Sequence, residues 1–136
     1  MTDGLKRNTE MLFDDRGHLF LLALDHAQSG VMRGLENSGG LMEKLATTAL
    51  NGFILNVGMA NRMSEKLFLR KKLVLRTSFG GSQLADEYAA AHANHVSPET
   101  ALALGADAVL MMAVIGGADY RGLQEAAADI GPLRAL

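Results

Sequence analysis

Apolar residues in this chain gather in four short runs, and the stretches between them carry apolar positions at helical spacing. The runs are Leu19–Leu24 (LFLLAL), Phe53–Val57 (FILNV), Leu73–Leu75 with its continuation to Phe79 (LVLRTSF), and Ala108–Ile115 (AVLMMAVI). Each is too short for an ordinary helix and ends in polar or glycine residues. Runs without polar alternation predict strands covered on both faces, as in a parallel sheet packed between helices. Met111 and Met112 make the last run less β-branched than the others, but its length and flanks still favour a strand.

The intervening segments read as helices. Leu41, Met42, Leu45, Ala46 and Ala49 fall on one stripe, with Glu43 and Lys44 off it. Met63, Leu67 and Phe68 make a shorter stripe over Asn61–Leu69. The third helix is the best marked: Ser97 is a good N-cap, Pro98 occupies the first helical position, Glu99 favours the N-terminus, and Gly105 supplies a left-handed stop. Leu123, Ala126, Ala127 and Ile130 suggest a fourth helix over Tyr120–Ile130, and Leu5–Phe13 a short one before the first strand, with Asp14–His18 (DDRGH) as the turn between.

Strand and helix therefore alternate four times. Repeated βα units predict an α/β fold with a parallel sheet and right-handed crossovers. Residues 1–18 form a leading helix and turn, and residues 19–136 form four βα units in one domain. At 136 residues the chain is long enough to bury a real core.

Composition removes several function classes. The formal net charge of -2 gives no electrostatic reason to expect nucleic acid or an anionic membrane as partner. The absence of cysteine excludes disulfides, thiolate nucleophiles and cysteine-based zinc sites. No apolar run approaches the roughly 20 residues of a membrane helix, and no basic segment followed by an apolar one opens the chain. A cytoplasmic protein is the default expectation.

In parallel α/β folds the loops leaving the C-terminal ends of the strands share one face, and chemistry collects there. The expected exits are Asp25–Gly30 (DHAQSG), Gly58–Arg62 (GMANR), Ser78–Gln83 (SFGGSQ) and Gly116–Tyr120 (GGADY). Asp25 and His26 thus stand where such a fold presents reactive groups. An aspartate there can equally cap the next helix, and a histidine can simply bond a carbonyl. Arg76 is unusual inside an apolar strand, and needs a carboxylate partner, a phosphate or a polar cavity. An internal ion pair and a ligand contact are both open for it. His92 and His95 are three apart, but no third ligand is tied to them, so no metal site is expected. The Phe79–Ser82 stretch (FGGS) lacks phosphate-loop spacing and reads as a tight loop. Leu69–Lys72 (LRKK) reads as a solvated lead into the third strand.

Three blocks, ALDHAQSGVMRGLEN (Ala23–Asn37), LVLRTSFGGS (Leu73–Ser82) and GADAVLMMAVIGG (Gly105–Gly117), together resemble the class I aldolases of the archaeal and bacterial type. That group also holds the autoinducer-2 thiolase and aldolase-like synthases of aromatic precursor pathways. The resemblance runs from about Leu19 to Ile130. It implies the first half, (βα)4, of a TIM (β/α)8 barrel and Schiff-base chemistry on a phosphorylated ketose such as fructose bisphosphate, with a place in glycolysis or gluconeogenesis and no cofactor. In such an enzyme a lysine forms an imine with the ketone, and the imine takes up electrons as the carbon–carbon bond breaks. The resemblance carries over Asp25, as holder of substrate hydroxyls and protons, and His26 beside it.

A (β/α)8 barrel takes about 250 residues, and the resemblance places the imine lysine, the acid–base tyrosine and the phosphate site on later strands than these. Lys6, Lys44, Lys66, Lys71 and Lys72 all lie away from the expected strand exits. The chain by itself is therefore expected to be inactive. A half-barrel leaves two open edges, so the expected partner is a second copy or a missing C-terminal half. The alternatives are a thiolase or synthase of the same group, a self-associating assembly subunit, or a non-catalytic small α/β interaction module.

Overall fold

The chain is seen here in a computed structural model that describes residues 3–26, 32–68, 70–79 and 93–112. After helix α1 (Asp3–Glu10), strands β1 (Leu21–Ala23), β2 (Gly52–Leu55), β3 (Lys72–Arg76) and β6 (Ala108–Leu110) form one sheet in the order β1-β2-β3-β6. Every neighbour pair is parallel. Helices α2 (Ser38–Leu45), α3 (Val57–Ala60), α4 (Glu65–Phe68) and α5 (Pro98–Ala103) occupy the connections. The alternating βα architecture expected from the apolar runs is thus the one observed.

Register sorts the sheet into two faces, because successive side chains on a strand point to opposite sides. Pairing aligns Leu22 with Phe53, Phe53 with Leu73, Leu55 with Leu75, and Leu75 with Val109. This face meets the helices. Phe53, Leu55, Leu73 and Leu75 are 0% exposed, and they share one core cluster with Met42 of α2, Met59 and Ala60 of α3, Met63, Leu67 and Ala101. Burial of such a side chain is worth about 1.5–3 kcal/mol relative to leaving it in water, so this row supplies most of the sheet's hold on its helices. The opposite face carries Leu21, Ala23, Gly52, Ile54, Lys72, Val74, Arg76, Ala108 and Leu110. On it Leu21, Ala23, Ile54, Ala108 and Leu110 are half-buried, as are Leu22 and Val109 of the edge strands on the helix side.

Gly52 permits the β2–β3 contact at the start of the ladder. A Cβ built there would lie 2.7 Å from Lys72 Cβ and against the Lys72 carbonyl. No side chain fits that space.

Local chemistry sets the helix starts. Asn37 Oδ1 accepts from the Gly40 N–H to cap α2, Asn56 Oδ1 accepts from Met59 N–H to cap α3, and Ser97 Oγ accepts from Thr100 N–H to cap α5. Gly105 ends α5 with φ of 73°, the left-handed conformation expected of it.

Several boundaries differ from the sequence expectation. The leading helix is Asp3–Glu10 rather than Leu5–Phe13. Of the expected Asn61–Leu69 helix only the single turn α4 forms; the turn α3 precedes it, taking up Val57 of the expected strand and the start of the expected Gly58–Arg62 exit, with Met63 buried between the two turns. The third run stops as a parallel strand at Arg76. Beyond Thr77, β4 (Ser78–Phe79) pairs antiparallel with β5 (Ala93–Asn94), so Ser78 and Phe79 belong to a small ribbon and not to a loop. Lys71 is a further correction. It is not solvated but 9% exposed, because Thr48 and Leu50 turn their carbonyl oxygens onto its Nζ. The expected helix over Tyr120–Ile130 and the exit Gly116–Tyr120 lie outside the described residues.

Candidate functional site

The C-terminal end of the sheet is built around a buried ion pair. Arg76 is the last residue of β3, and Asp25 stands two positions beyond the end of β1. Arg76 Nη1 donates to Asp25 Oδ2 at 2.8 Å, with Asp25 5% and Arg76 6% exposed. The internal ion pair, one of the two open readings of Arg76, is present.

Strand order explains how the two meet. Leu55 pairs with Leu75 and Ala23 with Ile54, so Asp25, Asn56 and Arg76 fall in one row, continued by Leu110 on β6. Asn56 turns its side chain away to cap α3. The guanidinium therefore reaches past β2 to the carboxylate. Its remaining donors are also held: Nε donates to the Ser78 carbonyl at 3.1 Å, and Nη2 approaches Met112 Sδ at 3.8 Å. Ser78 Oγ in turn accepts from the Met112 N–H at 2.8 Å, locking the end of β6 to β4. Thr77 donates its N–H to the Leu110 carbonyl and accepts from the His95 N–H, which seats the ribbon on the sheet.

The chemistry available follows from the donor count. A buried carboxylate must be matched by donors or it neutralises. Oδ2 of Asp25 has the guanidinium; among the described residues no donor meets Oδ1. Thr77 Oγ1 and Asn94 Oδ1 are buried without a hydrogen-bond partner in the described structure. His26, next to Asp25, is exposed at the rim.

All five lysines are described, and none is at the C-terminal end of a strand. Lys6 lies on α1, Lys44 on α2 and Lys66 on α4, the last two exposed. Lys71 is held by the Thr48 and Leu50 carbonyls, and Lys72, at the start of β3, pairs with Asp107 at 3.4 Å. Both stand at the opposite end of the sheet from Asp25.

The other candidate positions contribute less. His95 is exposed, and its ring lies 6.2 Å from that of Phe79; His92 and most of Phe79–Ser82 fall outside the described residues. Among the described residues no group of three or more His, Cys, Asp or Glu side chains could hold a metal ion. None of the described helices is long and apolar enough to cross a membrane.

With this geometry in view, comparison with known proteins is informative at the level of structure. No family profile and no characterised protein matches the sequence. Among solved structures, an archaeal fructose 1,6-bisphosphate aldolase superposes with a TM-score of 0.76 at 20% identity, covering 96% of this chain and 53% of its own. A Schiff-base-forming fructose-1,6-bisphosphate aldolase does so with a TM-score of 0.77, 20% identity and the same coverages. So does an archaeal aldolase solved with its catalytic lysine bound to the carbinolamine intermediate, also at 0.77 and 20%. The fold is that of half an aldolase barrel. The chain spans about half the length of these TIM-barrel enzymes, and the parallel order β1-β2-β3-β6 fits that of consecutive barrel strands.

Sequence reasoning singled out Asp25, His26 and Arg76, and the structure joins the first and third directly. It missed Ser78 and Met112 as holders of Arg76. Ser78 was visible only as part of a glycine-rich exit, and Met112 only as core. Neither carries a local signal of its role, since that role depends on β4 turning back beside β6.

Proposed function

We propose that this chain provides the aspartate-bearing part of a Schiff-base lyase of the class I aldolase type, acting on a phosphorylated ketose such as fructose bisphosphate. The observation that supports this reading is the buried Asp25–Arg76 pair at the C-terminal end of a sheet that superposes on half of such enzymes. In this reading Asp25 is the residue that touches substrate. Arg76 fixes the carboxylate through Oδ2, leaving Oδ1 to accept from a substrate hydroxyl as the carbon–carbon bond breaks. His26 borders the same opening. Arg76 acts on the substrate indirectly, by holding Asp25.

The imine needs an amine, and no lysine of this chain stands near Asp25. These 136 residues alone are therefore inactive in this reading, and the amine comes from a polypeptide segment outside them. Treatment with dihydroxyacetone phosphate and borohydride should leave the chain at its 14.5 kDa mass. Mixed with the lysine-bearing half of an aldolase of this fold, the adduct should appear on that half, and Asp25→Asn should suppress it. An adduct on this chain itself would overturn the reading. So would a mixture in which Asp25→Asn leaves trapping unchanged.

A non-catalytic module is the second reading, favoured by the same lysine placement. The mixing experiment separates the two, since a module leaves the lysine-bearing half untrapped.

A further inference from the structure

We infer that Met112 is a site of reversible oxidation by hydroperoxides, and that the oxygen its sulfur gains is bound by Arg76, so that the arginine holding Asp25 registers the oxidant. This goes beyond the aldolase reading, because it concerns a chemistry of the chain's own residues that needs no lysine.

The methionines divide by their surroundings. Met42, Met59 and Met63 are buried in the core, out of reach of a dissolved oxidant while the chain is folded. Met11 and Met32 are exposed, and among the described residues no charged donor meets the sulfur of either. Met111 and Met112 are both half-buried, and a solute as small as hydrogen peroxide reaches such positions. One contact sets Met112 apart from its neighbour: Arg76 Nη2 points at its Sδ from 3.8 Å.

Two anchors keep that sulfur in place. On the backbone side Ser78 Oγ accepts from the Met112 N–H at 2.8 Å, tying residue 112 to β4. On the side-chain side stands a guanidinium that is itself fixed, by Asp25 Oδ2 through Nη1 and by the Ser78 carbonyl through Nε. A thioether is a weak acceptor, so the contact with Sδ is the weakest of the guanidinium's described bonds. Arg76 is only 6% exposed, and water does little to make up the difference. A better acceptor at this spot is strongly bound.

Oxidation supplies one. A sulfur lone pair attacks one oxygen of the hydroperoxide; an S–O bond forms and the O–O bond breaks, so sulfur loses two electrons and the peroxide gains them. With hydrogen peroxide, the departing hydroxide takes the proton from the sulfur-bound oxygen and leaves as water. The product is methionine sulfoxide, which sulfoxide reductases return to the thioether. Its oxygen projects into the space between Sδ and Nη2, where a bent approach gives it an N–H···O bond of roughly 2.7–3.2 Å while the guanidinium stays where it is. Nη1 remains on Asp25. Sulfoxidation ordinarily disrupts apolar packing; here it completes a polar contact and stiffens the Asp25–Arg76 pair.

The test treats the full chain with hydrogen peroxide, maps the oxidised positions by mass spectrometry and follows the Arg76 guanidinium by nitrogen–proton NMR. Oxygen should appear on Met112 well before it appears on Met42, Met59 or Met63, and a methionine sulfoxide reductase should remove it. As Met112 is oxidised, the Arg76 signals should move and their exchange with water should slow by about tenfold, as when a weak contact becomes a hydrogen bond to a charged donor. Leucine conserves volume at either neighbouring position. Met111→Leu should keep the Arg76 response, and Met112→Leu should abolish it.

Oxidation of Met112 only in step with the core methionines would mean that the folded chain shields it, and would overturn the inference. So would Arg76 signals that ignore oxidation at Met112, or a response that survives Met112→Leu. Loss of the response in Met111→Leu as well would assign it to the packing of the two neighbours, again against the inference. None of these readouts involves an imine, so this inference and the aldolase reading fail separately.

Discussion

Asp25 and Arg76 are 51 positions apart in sequence, and their side chains meet at 2.8 Å with Asn56 of the intervening strand's exit turned aside. Such a pair is worth little net against apolar replacements of equal size, but removing one member strands the other. Arg76→Met is expected to destabilise the fold by about 3–5 kcal/mol, and the double variant Asp25→Leu/Arg76→Met to recover much of that. Urea unfolding measures both. A loss below about 1 kcal/mol for the single variant, the range of solvated pairs, would show that water reaches the site.

Gly52 makes a separate prediction. Alanine there drives a methyl group onto the backbone and Cβ of Lys72, where the sheet cannot widen without breaking the ladder to β3. Gly52→Ala should cost about 1–3 kcal/mol, the usual range for overpacking. It should appear as a lower urea midpoint with an unchanged slope. An unshifted midpoint would mean that β2 and β3 stand further apart than described.

At the opposite end of the sheet, Lys71 satisfies the carbonyls of Thr48 and Leu50. Lys71→Met keeps the apolar stem and removes the donors, leaving carbonyl oxygens short of a partner. A cost of about 1–3 kcal/mol is expected, with faster amide exchange localised to Thr48–Gly52. Uniform exchange changes would argue against this latch.

Glu99 offers a pH-dependent readout. Its carboxyl is held below the ordinary range by its own backbone N–H and by Ser97, at the start of α5. A folded value below the unfolded one stabilises the helix start above the unfolded carboxylate pKa, and that contribution disappears as pH falls through the folded value. Ser97→Ala should raise the Glu99 titration midpoint in side-chain NMR and weaken the cap by about 1 kcal/mol. A midpoint unmoved by that substitution would assign the shift to the backbone alone.

These sites also show which parts of the molecule are written locally. The four strands were legible because a strand covered by helices leaves an apolar run, and Ser97, Pro98 and Gly105 each mark α5 through their own backbone chemistry. The β4–β5 ribbon was not, because two-residue strands carry no periodicity and their pairing depends on a connection of more than a dozen residues. Lys71 looked like any surface lysine, since its carbonyl partners lie 21 and 23 positions earlier. For Asp25 and Arg76 the residue types were conspicuous. Their partnership was not, because it needs the order β1-β2-β3 to bring them into one row.

That row has a mechanical consequence. Neighbouring strands stand about 4.8 Å apart, so a bond from β1's exit to the end of β3 acts across two such spacings. It ties the tip of edge strand β1 to that of interior strand β3 over β2, on the face that carries the pair. Severing the clip would do more than lower stability: it would free the tip of β1, which among the described residues has only β2 beside it, to splay away from the sheet.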